Sequence, residues 1–274
     1  MRKIFIIVLL LIFGGVTAQS YHFYYDVYFR PDSLSNEMKK DVAILDISKE
    51  EVKFYPHSAY VVDSLAKLNK VPPKMSGDFE VRLKRKVGSN ENYNYHTTSP
   101  IFYYLVKTTD VQNWNILPEK KSIGEYSVQK ATTEFGGRQW EAWFCPDIPF
   151  PQGPYKFQQL PGLILEVKDS KGDYHFSFVK NINYPQTYDT TYIVEKNSPW
   201  GNTSPIEISE KRWQKLQLEY FTNPLKDLDS KSNIITDNNG QKVDIEEANK
   251  MVQKRMLKRN NPIELDKAVK LILK

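Results

Sequence analysis

The chain has 274 residues, 26% of them charged and 13% aromatic, with a formal net charge of +5 and one cysteine. A single cysteine excludes internal disulfides, so packing alone must hold the fold. Without Arg2 and Lys3 the charge falls to +3, and residues 241–274 carry nine Lys/Arg against five Asp/Glu, so 19–240 is near neutral and a nucleic-acid partner is disfavoured.

The N-terminus reads as a leader. Arg2 and Lys3 precede an apolar run over 4–13, and Val16-Thr17-Ala18 forms a small-residue cleavage site before Gln19. The run is shorter than the ~20 apolar residues that a bilayer span needs. Cleavage between Ala18 and Gln19 is therefore expected. No cysteine follows it, so the expected product is exported, soluble and not lipidated, either periplasmic or secreted.

From Tyr21 onward the pattern has period two. Tyr21, Phe23, Tyr25, Val27 and Phe29 alternate with His22, Tyr24, Asp26, Tyr28 and Arg30, which puts His22 on the wetter face. Phe79, Val81, Leu83 and Val87 give a second half-wet strand. Runs 101–106 and 140–144 are apolar on both faces, as central or covered strands are. Leu163, Leu165 and Val167 face Tyr174, Phe176 and Phe178 across a Lys171-Gly172 turn, a hairpin signal that also puts His175 on a wet face. No helix-period segment is read before Ser204.

The spacing predicts a mainly β fold. It is a curled antiparallel meander, either an open half-barrel or barrel-like, with a sandwich as the alternative, followed by C-terminal helices. The β domain spans 19–222 and ends in a helix over 210–221, capped by Ser209 and stopped by Pro224. A polar loop follows at 223–243, then a basic helical tail at 244–274 whose acidic start and basic end suit the helix dipole.

The densest signal is P-D-I-P-F-P-Q-G-P-Y-K-F-Q-Q-L-P-G-L-I-L-E-V-K-D at 146–169. Prolines fix φ and glycines open φ > 0, so this is a rigid, shaped connection between strands. Its structural positions are Pro149, Gly153, Pro154, Leu160, Pro161, Gly162, Leu163 and Ile164, with Leu163 and Leu165 read as core and Ile164 as facing the other side. L-P-G-L-I resembles the signature of the GLPGLI family of exported bacterial proteins without an agreed role. Tyr126, Q-K-A-T at 129–132, Phe135, G-R at 137–138, W-E-A-W at 140–143 and G-P-Y-K-F at 153–157 are similar to that family's core block. Y-V-V-D-S at 60–64 and N-P-I-E-L at 261–265 resemble its outer parts. Gln159 stands where the signature has its first glycine. Cys145 and Val128 stand where threonine and cysteine are expected, which speaks against cysteine chemistry. The hairpin at 163–178 also looks like those of periplasmic lipoprotein carriers with an open half-barrel.

Catalytic signatures are missing: there is no G-x-S-x-G, H-E-x-x-H, C-x-x-C or phosphate-cradling glycine loop. The four histidines lack metal-ligand spacing, and no cofactor or metal is expected. Cys145 reads as a small buried hydrophobe. Arg138, after two glycines, could bind a carboxylate through its planar fork, or close an internal salt bridge such as one with Asp147. Trp140, Trp143, Phe150, Tyr155, Lys156 and Phe157 could line a groove or fill a core. D-S-L at 32–34, D-S-L at 63–65 and D-T-T at 189–191 match a short O-glycosylation pattern at Ser33, Ser64 and Thr190. Three functions stay open: a non-catalytic envelope protein binding an apolar or peptidic ligand or an outer-membrane partner, a hydrolase with a charged site beside the Pro/Gly loop, and a structural accessory factor.

Overall fold

The computed structural model describes residues 20–68, 77–99, 102–195, 204–226 and 244–273. The leader with its Ala18–Gln19 junction, and 227–243 of the polar loop, lie outside the described residues.

The strands are β1 (Ser20–Phe29), β2 (Lys39–Ile47), β3 (Glu51–Pro56), β4 (Arg82–Lys86), β5 (Glu91–Ser99), β6 (Phe102–Thr109), β7 (Asn115–Ile123), β8 (Tyr126–Phe135), β9 (Arg138–Cys145), β10 (Leu163–Asp169), β11 (Tyr174–Tyr184) and β12 (Ile206–Ile208). They form one continuous sheet in the order β12-β6-β5-β4-β3-β2-β1-β11-β10-β9-β8-β7, which is open and mainly antiparallel. Continuity removes the sandwich alternative, and the open ends remove a closed barrel. Two meanders, β1 to β6 and β7 to β11, run in opposite directions from the β1–β11 pairing, where Tyr25 faces Phe178. The short β12 pairs in parallel with β6, so the sheet is mixed. In the expected hairpin Val167 faces Phe176.

The sheet curls around the Pro/Gly loop. If flat, β4 and β9, six places apart, would stand about 29 Å from each other at ~4.8 Å per strand. Yet Arg85 on β4 donates to the Tyr155 carbonyl at 3.1 Å. Two residues further, the Phe157 ring lies 4.7 Å from that of Trp140 on β9. Phe157 also packs on Trp114, Phe135, Tyr155 and Phe176, so the loop is a plug on the inner face. Burying such a ring is worth roughly 1.5–3 kcal/mol.

Two sequence expectations are corrected on the outer face. A helix over His57–Lys67 (α1) precedes Ser204, and α2 (Thr191–Val194) is a second, short one. The α1 pattern is masked because its buried positions, Ala59 and Asp63, include a carboxylate. Asp63 accepts from the Tyr188 hydroxyl at 2.5 Å and pairs with Lys67 at 2.9 Å. These helices pack against Tyr24, Ile44, Tyr55, Tyr95 and Tyr103 in a second apolar cluster. His22 is consequently fully buried rather than wet, its ring against Tyr60 and Tyr184. His175 does stay half-exposed, paired with Glu166 at 2.9 Å.

The C-terminal helices follow their caps. Ser209 accepts from the Arg212 amide at the start of α3 (Glu210–Thr222), and Asp244 from the Glu246 and Glu247 amides at the start of α4 (Ile245–Leu257). A 3-10 turn over Leu265–Lys267 closes the described chain. No helix among the described residues is long and apolar enough to cross a membrane.

Leu163, Ile164 and Leu165 are all fully buried, because both faces of β10 are covered and a bulge interrupts its register near Ile164. Gly162 has φ +151°, and an added Cβ would lie 2.1 Å from the Cys145 carbonyl oxygen. Gln159, in place of the signature's first glycine, still adopts φ +75°, so the conformation glycine would allow is used here after all. Gly162→Ala is expected to cost about 3 kcal/mol or more through clash and strain, and Leu163→Ala about 2–5 kcal/mol as a core truncation. Gln159→Gly, which relieves a left-handed conformation and clashes with nothing, should stay within about 1 kcal/mol of wild type. Thermal melts check all three. A Gly162→Ala shift below ~2 °C, against 2–4 °C per kcal/mol at this size, would show that the signature does not shape the fold.

Candidate functional site

Arg138 is the most heavily bonded side chain near the signature. The Gly136-Gly137 turn, at φ +62° and +72°, leaves no room for side chains against Glu264 and Asp266. The C-terminal N-P-I-E-L segment therefore docks there, and the Leu265 amide donates to the Gly136 carbonyl at 2.6 Å. Arg138, itself buried, donates to Asp169 (2.9 Å), Asp173 (3.0 Å), Asn261 Oδ1 (2.6 Å) and the carbonyls of Pro262 (2.8 Å) and Ile263 (2.9 Å). The internal-salt-bridge alternative holds, but the partners are Asp169 and Asp173 rather than Asp147, which is exposed.

Beside this anchor lies a cleft of about 380 Å³ between β4, β5, α3 and the segment 259–271. The loop presents two residues to it. A Gln152–Gln158 bridge closes the tip of the loop, with Tyr155 at φ +55°, so that Tyr155 and Lys156 reach the cleft while Phe157 turns into the core. Lys156 is almost fully buried and lies 2.5 Å from Glu264, 3.1 Å from Asp110 and 3.2 Å from Thr108 Oγ1. Lys267 also pairs with Glu264, and with Asp110 at 3.3 Å. Tyr155 donates its hydroxyl to Glu264, and Asn92 donates to Asp110 at 3.0 Å.

Two lysines thus face two carboxylates in a sheltered square. Burial opposes ionisation of Asp110 and Glu264, but Lys156 and Lys267 outweigh it and hold both below the usual carboxylate range. Burial likewise opposes the charge on Lys267, yet Glu264 and Asp110 keep its pKa raised. Glu210, at the first turn of α3, behaves differently: burial raises its pKa. The His96 ring stacks on Trp213 with centroids 4.6 Å apart, and packing around the ring lowers its pKa to about 4.

Of the residues read from the sequence as binding candidates, Tyr155 and Lys156 line the cleft. Trp140 and Phe157 are core. Phe150 packs on Tyr21 and Phe23. Trp143 lies on the other face of β9, with the Lys121 ammonium 4.3 Å from its ring centroid. Cys145 is buried and free. Among the described residues no group of three or more His, Cys, Asp or Glu is placed to hold a metal. Ser33 is exposed, its hydroxyl donating to Asn260, and Ser64 sits in α1 donating to Val61. Thr190 is fully buried, which removes it as an acceptor on the folded protein. Sequence reasoning missed Asp110, His96, Glu210, Glu264 and Lys267. Only the spacing of Glu210, Trp213 and Gln217 on one helix face carries a local signal.

Residues 136–166, from the Gly136-Gly137 turn into β10, match the model of a family described as a protein of unknown function (Porph_ging). The fold is similar to two solved structures of PNGF-II. The one in space group P21 has 16% identity over 73% of this chain and 33% of that chain, with a TM-score of 0.51. The one in space group C2 has 16% identity over 73% of this chain and 32% of that chain, with a TM-score of 0.52. At this identity the likeness concerns the fold alone, and the chain spans about a third of the length of those structures. No curated protein matches.

The site carries a pH dependence of definite sign. An unfolded histidine protonates near ~6.5, whereas His96 in the fold resists protonation until about 4. The unfolded state then binds the extra proton, so the His96 contribution to stability falls as pH drops from ~6.5 toward 4, while Glu210, whose pKa is raised, contributes in the opposite direction. Stability falls further below ~4.5 as Asp110 and Glu264, both depressed, take up protons. His96→Gln should flatten the first part of this loss relative to wild type and leave the second. Urea unfolding at pH 7.5, 5.5 and 4 checks it; parallel stability profiles for the two proteins would contradict the assignment.

Proposed function

We propose that this is an exported, GLPGLI-type envelope protein that binds a peptidic ligand in the cleft beside the signature loop. One observation carries the choice of ligand. Phe157 fills part of the inner face with ring contacts to Trp114, Phe135, Trp140 and Phe176, which leaves the cleft beside it as the open space. The open space is walled by the Phe29, Phe79, Tyr155 and Trp213 rings together with charges of both signs, including Glu210 and Lys156. Its volume lies at the small end of the ~300–1,000 Å³ usual for ligand pockets, and such mixed walls suit a short peptide segment with polar backbone and ionic ends. The leader supports export, and the match over 136–166 is consistent with an uncharacterised family.

A second reading, a hydrolase, is favoured by the opposite behaviour of Glu210 and Glu264 in one cleft, since acid–base chemistry uses carboxylates whose environments push their pKa values apart. One experiment addresses both. Calorimetry of the purified protein with a tripeptide pool should show binding that weakens at least tenfold in Trp213→Ala. Mass spectrometry of the same mixtures should find the peptides intact. Cleaved peptides would favour the hydrolase, and binding of envelope lipid with no peptide binding would overturn the peptidic reading.

A further inference from the structure

Within the cleft, Glu210 stands apart from the ion pairs that hold its neighbours. Lys156 and Lys267 are matched by Asp110 and Glu264. Arg259 is matched by Asp78 at 3.2 Å and Glu80 at 3.4 Å. Glu210 lines the cleft and has no hydrogen bond or close ion pair among the described residues, although it is partly buried. Lys156 and Lys267 favour its charge only from a distance, and burial outweighs them and raises its pKa. Its neighbours on α3 are informative. Glu210, Trp213 and Gln217 stand at i, i+3 and i+7, on one helix face, and all three line the cleft. The indole of Trp213 is fixed by stacking on His96, with an interplanar angle of 14°, and Tyr104 lies 5.9 Å away. Trp is the side chain whose face attracts a cation best, and more so where water is excluded.

We propose that Glu210 and Trp213 together form a subsite for a cationic group, the ammonium of a lysine or the guanidinium of an arginine in the bound peptide. The cation supplies the missing partner of Glu210 and lies against the indole, while the Gln217 amide is left to bond peptide backbone. The proposal rests on the peptidic reading and sharpens it to basic peptides. His96 behind the indole stays neutral at physiological pH, so it adds no opposing charge. The two lysines nearby are held by their own carboxylates and do not occupy the subsite.

The test uses three blocked peptides, acetyl-Ala-X-Ala-amide with X lysine, arginine or norleucine, and benzylamine as a bare cation. Each is titrated calorimetrically at low salt into wild type, Glu210→Gln and Trp213→Leu, with melts confirming that the variants fold. The lysine and arginine peptides should bind at least tenfold more tightly than the norleucine peptide, and Glu210→Gln should remove the difference. Equal binding of all three peptides would overturn the cation subsite while leaving the peptidic reading in place. Benzylamine binding that depends on Glu210, with no peptide bound, would support the subsite and overturn the peptidic reading. Binding of none of the four probes would overturn both.

Discussion

A buried guanidinium must find acceptors for its donors, and the way Arg138 does so organises the molecule. It has five donors in a fixed fork and stays charged. Two carboxylates from the β10–β11 turn, Asp169 and Asp173, neutralise it, and three acceptors come from Asn261, Pro262 and Ile263. The Tyr174 ring lies 5.0 Å from the guanidinium carbon and donates its hydroxyl to the Asn261 carbonyl at 2.6 Å. Asn261 in turn donates to the Arg30 carbonyl, at the end of β1. Three parts of the chain distant in sequence therefore meet on one side chain, and removing one partner of such a buried pair costs about 3–5 kcal/mol.

That junction places the cleft. Because Arg138 and the Gly136-Gly137 turn hold 261–265 against the sheet, Glu264 and Lys267 arrive opposite Lys156 and Asp110. Lys156 is delivered by the Pro/Gly loop, whose shape depends on Gly162 packing against the Cys145 carbonyl and on Gln152 meeting Gln158. The two halves of the family-like pattern, the G-P-Y-K-F stretch and N-P-I-E-L, thus touch through Tyr155, Lys156 and Glu264. Their spacing in sequence reflects one charge cluster rather than two separate features.

Strands such as β1 were legible because one face alternates cleanly, with Phe23, Tyr25, Val27 and Phe29 all entering the core, whereas the largely exposed β7 carries no such signal. Helices α3 and α4 were legible from their caps. The burial of His22 was not, since it depends on α1, whose inward face carries Asp63 and whose Val61-Val62 pair favours strand. Around the site, the chemistry of Arg138 could be read but its partners could not: Asn261 lies 123 residues away and Asp169 31. Tyr155 and Lys156 belonged to a candidate aromatic set that the structure divides, sending Phe157 inward and Lys156 toward Asp110. Glu210 carried no local sign of being unpaired, because pairing is a property of the assembled cleft.

The Pro/Gly loop and the C-terminal segment are parts of the core rather than surface appendages. Native-state amide exchange reads this directly at two amides: Ile164, which donates to the Gln152 carbonyl at 2.9 Å, and Leu265, which donates to Gly136. Both should exchange as slowly as the amides of the central strand β1, only when the whole domain opens. Exchange at either amide as fast as in an exposed loop would contradict it.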